Sequence, residues 1–271
     1  MSVNHYENFP VASILCPPAL RPAITAIYHF ARCADDIADE GDATPAQRLA
    51  DLAGYRADLQ SVATGGDASA RWPHIFEPLR TVIRERALPI GLLHDLLSAF
   101  EQDVTKHDYA DRAELLDYCR RSANPVGRLL LHLYRIDDPI ALRQSDAVCS
   151  ALQLANFWQD LGVDRARGRH YVPATDRARH ADVRAQIATM VGWTRELMLA
   201  GAPLIHAVPG RAGWELRLVV QGGLRILDKV EALGFDTLQR RPTLSALDAP
   251  LLLWRALRMR PAALPLPRTI A

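Results

Sequence analysis

Two segments of the chain carry oxygen-bearing side chains at helical spacing. In the first, Tyr28, Arg32, Asp35 and Asp39 follow one another at steps of 4, 3 and 4. At about 100° per residue they form one narrow stripe of a helix. In the second, Gln153, Asn156, Asp160 and Asp164 are spaced 3, 4 and 4, and the positions between them are largely apolar: Leu154, Ala155, Phe157, Trp158, Leu161 and Val163. Like charges at i, i+4 repel by roughly 0.2–0.5 kcal/mol on a surface, and burying unpaired carboxylates costs far more. An inward stripe of this kind therefore calls for a cation. Mg²⁺ is a hard ion that takes one or two carboxylates and completes its shell with water and substrate phosphate oxygens. Two facing stripes can hold two or three such ions with a diphosphate between them, and the metal stabilises departing pyrophosphate. An apolar, aromatic cavity would then shield the resulting carbocation from water. Arg32 and Arg169 are further candidate phosphate donors. A single DxxxD is ordinarily a solvated helix face. Two of them, each flanked by apolar residues and one with added amide ligands, form a binding pattern.

Helices must position these stripes. The chain shows no sustained apolar/polar alternation, no Asn-Gly hairpin and no GxGxxG after a strand. Apolar residues recur at spacings of three and four in segments rich in Ala, Leu and Arg, all good helix formers. Pro and Gly fall between the segments. Pro17-Pro18 opens a first helix over about 18–40, Gly41-Asp42 closes it, and Thr44-Pro45 starts a second. Further helices are expected over 72–87, 89–106, 111–135, 139–163, 180–200, 211–240 and 246–259. The expected architecture is one all-α domain of eight or more helices, residues 1–260, with a Pro-rich tail at 261–271.

Composition narrows the function classes. Among 271 residues there are 32 basic and 31 acidic ones, a net charge of +1, which excludes a broad nucleic-acid surface. Hydrophobic residues make up 49% and charged ones 23%, globular values for a chain long enough to enclose a greasy ligand. The cysteines at 16, 33, 119 and 149 form no CxxC pair and no zinc spacing, so free thiols are expected. No signal peptide and no apolar run of membrane-spanning length is seen. A cytoplasmic protein, with contact to the inner membrane surface as an option, is the expectation. That option rests on Leu251 to Arg268, which carries Arg255, Arg258, Arg260 and Arg268 and no acid beside Leu251, Leu252, Leu253, Trp254 and Met259. A core helix followed by a Pro-rich tail is the preferred alternative.

The two motifs, Tyr28-x-x-x-Arg32-x-x-Asp35-Asp36-x-x-Asp39 and Gln153-x-x-Asn156-x-x-x-Asp160-x-x-x-Asp164, with Arg169-x-Tyr171-x-Pro173 after them, resemble the squalene/phytoene synthase family. The resemblance runs from His5 to about Pro242. It implies an all-α isoprenoid-synthase bundle around a central cavity, with Mg²⁺ on Asp35, Asp39, Asp160 and Asp164 and Asn156 assisting. It also implies phosphate contacts from Arg32 and Arg169, and Tyr28, Tyr118 and Tyr171 at the reaction centre.

The segments His5–Ser13, Ser122–Leu129, Asp228–Glu231 and Arg240-Arg241-Pro242 look most like the bacterial branch of hopanoid biosynthesis. That branch implies ionisation of presqualene diphosphate, rearrangement and capture by water to give hydroxysqualene. A presqualene diphosphate synthase would work upstream and a reductase downstream, and NADPH is not expected. The alternative is head-to-head condensation of prenyl diphosphates to presqualene diphosphate, squalene or phytoene, which would use the same aspartates. Asp35-Asp36-Ile37-Ala38-Asp39 also fits the DDxxD of chain-elongating prenyltransferases and terpene cyclases, but the second motif does not match theirs. A non-catalytic relative would be expected to have lost aspartates that are intact here. Val163 replaces the family's usual acid, and Asn8 stands where condensing synthases often carry Ser.

Several residues keep two readings. Asn124 precedes Pro125 and so disfavours α geometry; the kink would either hold the captured water or serve packing alone. Tyr118 either faces the cavity or packs in the core, and the resemblance favours the cavity. His5 is a substrate-pocket candidate through the resemblance only. Phe9, Phe157 and Trp158 either line the tunnel or fill the core. Arg225 and Lys229, i and i+4 on a late helix, either reach the diphosphate or face solvent.

Overall fold

A computed structural model describes residues 16–259. Among the described residues the chain is all α-helical, apart from two short 3₁₀ turns and an isolated bridge between Asp108 and His170. The helices are α1 Arg21–Asp39, α2 Pro45–Ala63, α3 Pro73–Arg86, α4 Ile90–Asp103, α5 Arg112–Ser122, α6 Asn124–Leu133, α7 Pro139–Gln159, α8 Leu161–Ala166, α9 Ala174–Arg179, α10 Val183–Gly201, α11 Gly210–Ala232 and α12 Ala249–Arg258.

Local chemistry sets these boundaries. Thr44 accepts from the Gln47 amide while Gln47 returns to the Thr44 amide, a capping box with Pro45 in the first turn. Asp111, Asp138 and Asp182 cap α5, α7 and α10 through their carboxylates. Two expected helices are each broken once. The 111–135 segment divides at Ala123, one residue before the expected position, and Asn124 itself, against the expectation that Pro125 keeps it out of α geometry, begins α6 with Pro125 in its first turn. The 139–163 segment divides at Asp160, yet Asp160 N still donates to Asn156 O and Asp164 N to Asp160 O, so the second acidic stripe survives the break. The expected 211–240 helix stops at Ala232, and the short α8 and α9 carried too few periodic positions to be read from sequence.

The bundle has two main apolar clusters. One joins α1, α2, α3 and α4 around Phe30, whose ring stacks on Tyr55 at 5.2 Å and meets Phe76 edge-on. The other joins α5, α7, α10 and α11 around Trp158, whose indole N–H is satisfied by Thr194 at 2.7 Å. Thus α1 and α7, the two stripe-bearing helices, belong to different halves. Between α1 of the first cluster and two smaller apolar clusters carried by α6, α7 and α11 lies an apolar cavity of about 400 Å³, within the usual range for ligand pockets. Its walls include Ile27, Tyr28 and Ala31 of α1, Val126 and Leu130 of α6, Val148 and Leu152 of α7, and Leu216 and Val219 of α11.

Candidate functional site

The cavity side chains of α1 and α7 lie N-terminal to the aspartates on both helices. Tyr28 precedes Asp35 by seven residues, about 10 Å along the axis, and Leu152 precedes Asp160 by eight, about 12 Å. The acidic stripes therefore stand together at one end of the apolar chamber.

Arg169 ties them. Gly168 adopts a left-handed φ of +77° after α8, a conformation glycine takes without steric cost, and turns the chain back so that Arg169 N donates to Asp164 O at 2.8 Å. The guanidinium then grips both oxygens of Asp39, with Nη1 at 2.9 Å. Arg167 stands 3.9 Å from the same carboxylate. The Arg169 charge acts on Asp35, Asp103 and Asp164 alike, so the two stripes share one electrostatic neighbourhood. Arg32 pairs along its own helix with Asp35 at 2.9 Å and with Asp36. Arg241, arriving from the segment after α11, pairs with Asp160 through both carboxylate oxygens.

The carboxyls are crowded. Burial, with Asp39 and Asp36 nearby, outweighs Arg32 and Arg169 and pushes Asp35 up to about 6. Burial and Asp160 push Asp164 up to about 7. Asp103, at the end of α4, is raised to about 7, chiefly by burial, although Tyr118 Oη donates to it at 2.9 Å. Asp103 was missed by sequence reasoning. Its signal is present, because it continues the buried Leu93, Leu96 and Ala99 spacing of α4 with an acid where an apolar residue belongs.

Aromatic rings floor the site. Tyr171 stacks on Phe157 at 3.6 Å with planes 5° apart, and Tyr109 and Tyr118 complete the cluster. The backbone bond from His170 N to His107 O, 2.7 Å, holds Tyr171 there. Burial raises the Tyr118 and Tyr171 hydroxyls well above the usual phenol range. Phe157 and Trp158, and with them Tyr118 and Tyr171, belong to the buried core cluster and do not line the cavity, so Tyr118 packs in the core against the expectation that it faces the chamber.

Other expected residues divide. Tyr28 lines the cavity. Gln153 is half-buried and Asn156 exposed on the second stripe. Asn124 is buried, accepts from Ser150 Oγ at 2.8 Å, and lies two residues before the cavity residue Val126. Arg225 and Lys229 do not pair with the acidic stripes. Arg225 Nε meets Asp248 at 2.8 Å and Lys229 Nζ meets it at 2.5 Å, so their charges are spent on fastening the segment before α12. His5, Phe9, Asn8 and the tail at 261–271 lie outside the described residues.

The donor set fits Mg²⁺. It consists of carboxylates with amide oxygens beside them, and raised acids that arginines only partly neutralise are suited to a hard cation. No group of three His, Cys, Asp or Glu among the described residues forms a ready cage.

Among the described residues the class is thus an all-α bundle with ionic groups at one end of an apolar chamber. The chain belongs to the squalene/phytoene synthase family, whose profile matches residues 3–248. It is 42% identical over 175 residues to the hydroxysqualene synthase of Zymomonas mobilis, a stretch covering 62% of this chain and 55% of that protein. It is 39% identical over 173 residues to the hydroxysqualene synthase of Sinorhizobium fredii, covering 64% and 56%. The match thus spans about half the length of these curated relatives. In structure it is similar to squalene synthase HpnC from Alicyclobacillus acidocaldarius, with a TM-score of 0.77 and 37% identity over 85% of this chain and 90% of that one. A dehydrosqualene synthase at 20% identity and a TM-score of 0.71, over 88% of this chain and 86% of that one, shares the fold.

Proposed function

We propose that this protein is a Mg²⁺-dependent hydroxysqualene synthase acting on presqualene diphosphate. The observation that carries the reading is the meeting of both acidic stripes around Arg169 at one end of the apolar cavity. Similarity to two hydroxysqualene synthases at about 40% identity supports the branch.

Asp35, Asp39, Asp160 and Asp164, with Asn156 assisting, would hold Mg²⁺, which supplies positive charge to the departing pyrophosphate. Arg32, Arg169 and Arg241 pair with these aspartates, and they would take phosphate oxygens once cations do so. The cavity from Tyr28 to Val219 receives the hydrocarbon and keeps water from the cation. The carbon–oxygen bond to diphosphate breaks, the cyclopropylcarbinyl cation rearranges, and one water adds its oxygen and releases a proton. Asn124, fixed by Ser150 at the α5–α6 break, is the side chain assigned to position that water. Tyr118, through its hydrogen bond to Asp103, and Tyr171, stacked on Phe157, would support the ionic end from the core side. A presqualene diphosphate synthase supplies the substrate and a reductase consumes the product. The Zymomonas mobilis presqualene diphosphate synthase is itself 29% identical over 167 residues, so the two steps would use related chains.

The test is incubation of purified protein with presqualene diphosphate, with Mg²⁺ or EDTA and with or without NADPH, and separately with farnesyl diphosphate. Hydroxysqualene that requires Mg²⁺ and ignores NADPH is expected. Turnover of farnesyl diphosphate alone, or a switch to squalene with NADPH, overturns the assignment.

A further inference from the structure

Helix α12 breaks the usual rule for a surface helix. Ala256 is its one fully buried residue, and Leu253, Trp254 and Leu257 on its outer side are more than half exposed. Leu247, just before it, is 91% exposed. Nine large apolar side chains are exposed among the described residues, and these four lie within eleven consecutive positions. A fifth, Trp214, stands on α11 beside the end of α12, because Arg217, whose guanidinium lies 5.2 Å from the Trp214 ring, also bonds Met259 O at 2.5 Å. Arg258 covers Trp254 in the same way at 4.7 Å.

The charge of this surface is one-sided. From Ala249 to Met259 there is no acid, and Asp248 is buried under Arg225 and Lys229. Arg255 is taken up by Asp228 of α11 at 2.6 Å, and the exposed Arg258 over Trp254 with Arg217 over Trp214 leaves leucines and tryptophans beside basic groups, a surface complementary to anionic lipid headgroups above an apolar layer. Position supports the same occupant. On α11 the cavity residues Ala212, Glu215, Leu216 and Val219 lie on one side, and at about 100° per residue Trp214 and Arg217 lie near the opposite side. The patch is thus one helix layer outside the apolar chamber.

We infer that α12 and the Trp214 end of α11 form a docking face for an anionic lipid bilayer. The inference does not depend on the identity of the substrate. The experiment is co-sedimentation of the full chain with vesicles of phosphatidylcholine alone or mixed with phosphatidylglycerol. Light scattering and turnover of presqualene diphosphate in detergent micelles are read beside it. Binding to the anionic vesicles only, weakened by salt, is expected, with at least a tenfold loss in the combined variant Leu253→Ser, Trp254→Ser, Leu257→Ser. Micellar turnover of that variant should match the parent. Brominated lipid should quench tryptophan emission less in Trp254→Phe. Equal binding of parent and variant, no binding by the parent, or a dimer that the variant converts to monomer overturns the inference. Loss of turnover in the parent protein would instead count against the synthase reading and leave the vesicle result standing.

Discussion

Arg169 holds Asp39 in a two-point grip while Asp35, Asp103 and Asp164 remain crowded around it. Such a cluster opposes folding and serves binding, since a raised carboxyl is one whose charge the protein does not fully compensate. Replacing Asp164 by Asn should therefore cut turnover by about 100- to 1,000-fold, as for other groups that stabilise charge only during reaction. The same change should leave the melting temperature in EDTA unchanged or higher, because it removes a desolvated charge. A variant that loses both activity and stability would show instead that Asp164 is structural. Steady-state kinetics and a thermal melt on one preparation decide between these outcomes. The acidic stripes were fully legible in sequence because their spacing is local. Asp103 was not assigned, because its partner Tyr118 comes from another helix.

Two connections fasten the segments that follow α11. The segment after α11 lies across the α7–α8 break, with Gln159 Nε2 donating to Pro242 O at 2.6 Å and Arg241 pairing with Asp160. Gly162 allows this approach, since a Cβ there would press on the Leu238 carbonyl. Backbone on both sides leaves little room to yield, so Gly162→Ala should destabilise the protein by about 1–3 kcal/mol and lower turnover together. Urea unfolding and an activity assay would read both.

The second connection is the clasp at Asp248. Burial alone would raise its carboxyl, but hydrogen bonds from Lys229, Arg225 and Ser245 hold it far below the ordinary range. A depressed carboxyl contributes stability above its unfolded-state value, about 3.9, and that contribution is lost as pH falls through the folded value. Asp248→Asn should lower stability at pH 7 by about 1.5–3 kcal/mol, with the gap from the parent closing below about pH 4. Melts at pH 7 and pH 3 test it, and an equal gap at both would refute the charge-based account. The sequence showed Arg225 and Lys229 as an i, i+4 pair but could not show what they meet, because Asp248 lies nineteen positions beyond Lys229 in the chain.

For the whole molecule, the apolar cavity between α1 and helices α6, α7 and α11 is the feature on which the proposed function turns. Ala31 lines it one turn after Tyr28, beside the first stripe. Ala31→Phe should fill part of the chamber and lower kcat/KM for presqualene diphosphate by about tenfold or more, the rate equivalent of 1–3 kcal/mol of overpacking. Pyrophosphate and Mg²⁺ affinity should stay at parent values, since the ionic end is untouched. Calorimetric titration with Mg²⁺ and pyrophosphate, set beside the kinetics, separates the two effects. At this scale no described helix is long and apolar enough to cross a membrane.

The sequence by itself determined the helical class, the two acidic stripes and an interruption near Pro125, because each follows from spacing or backbone restriction within a few residues. Tertiary structure decided which groups meet across the chain. Arg169 reaches Asp39 across 130 positions and Arg241 reaches Asp160 across 81, and Arg225 and Lys229 are taken up by Asp248. The chamber belongs to tertiary structure as well, since a cavity is the space left where α1 and α7 fail to touch, and no local pattern encodes a space.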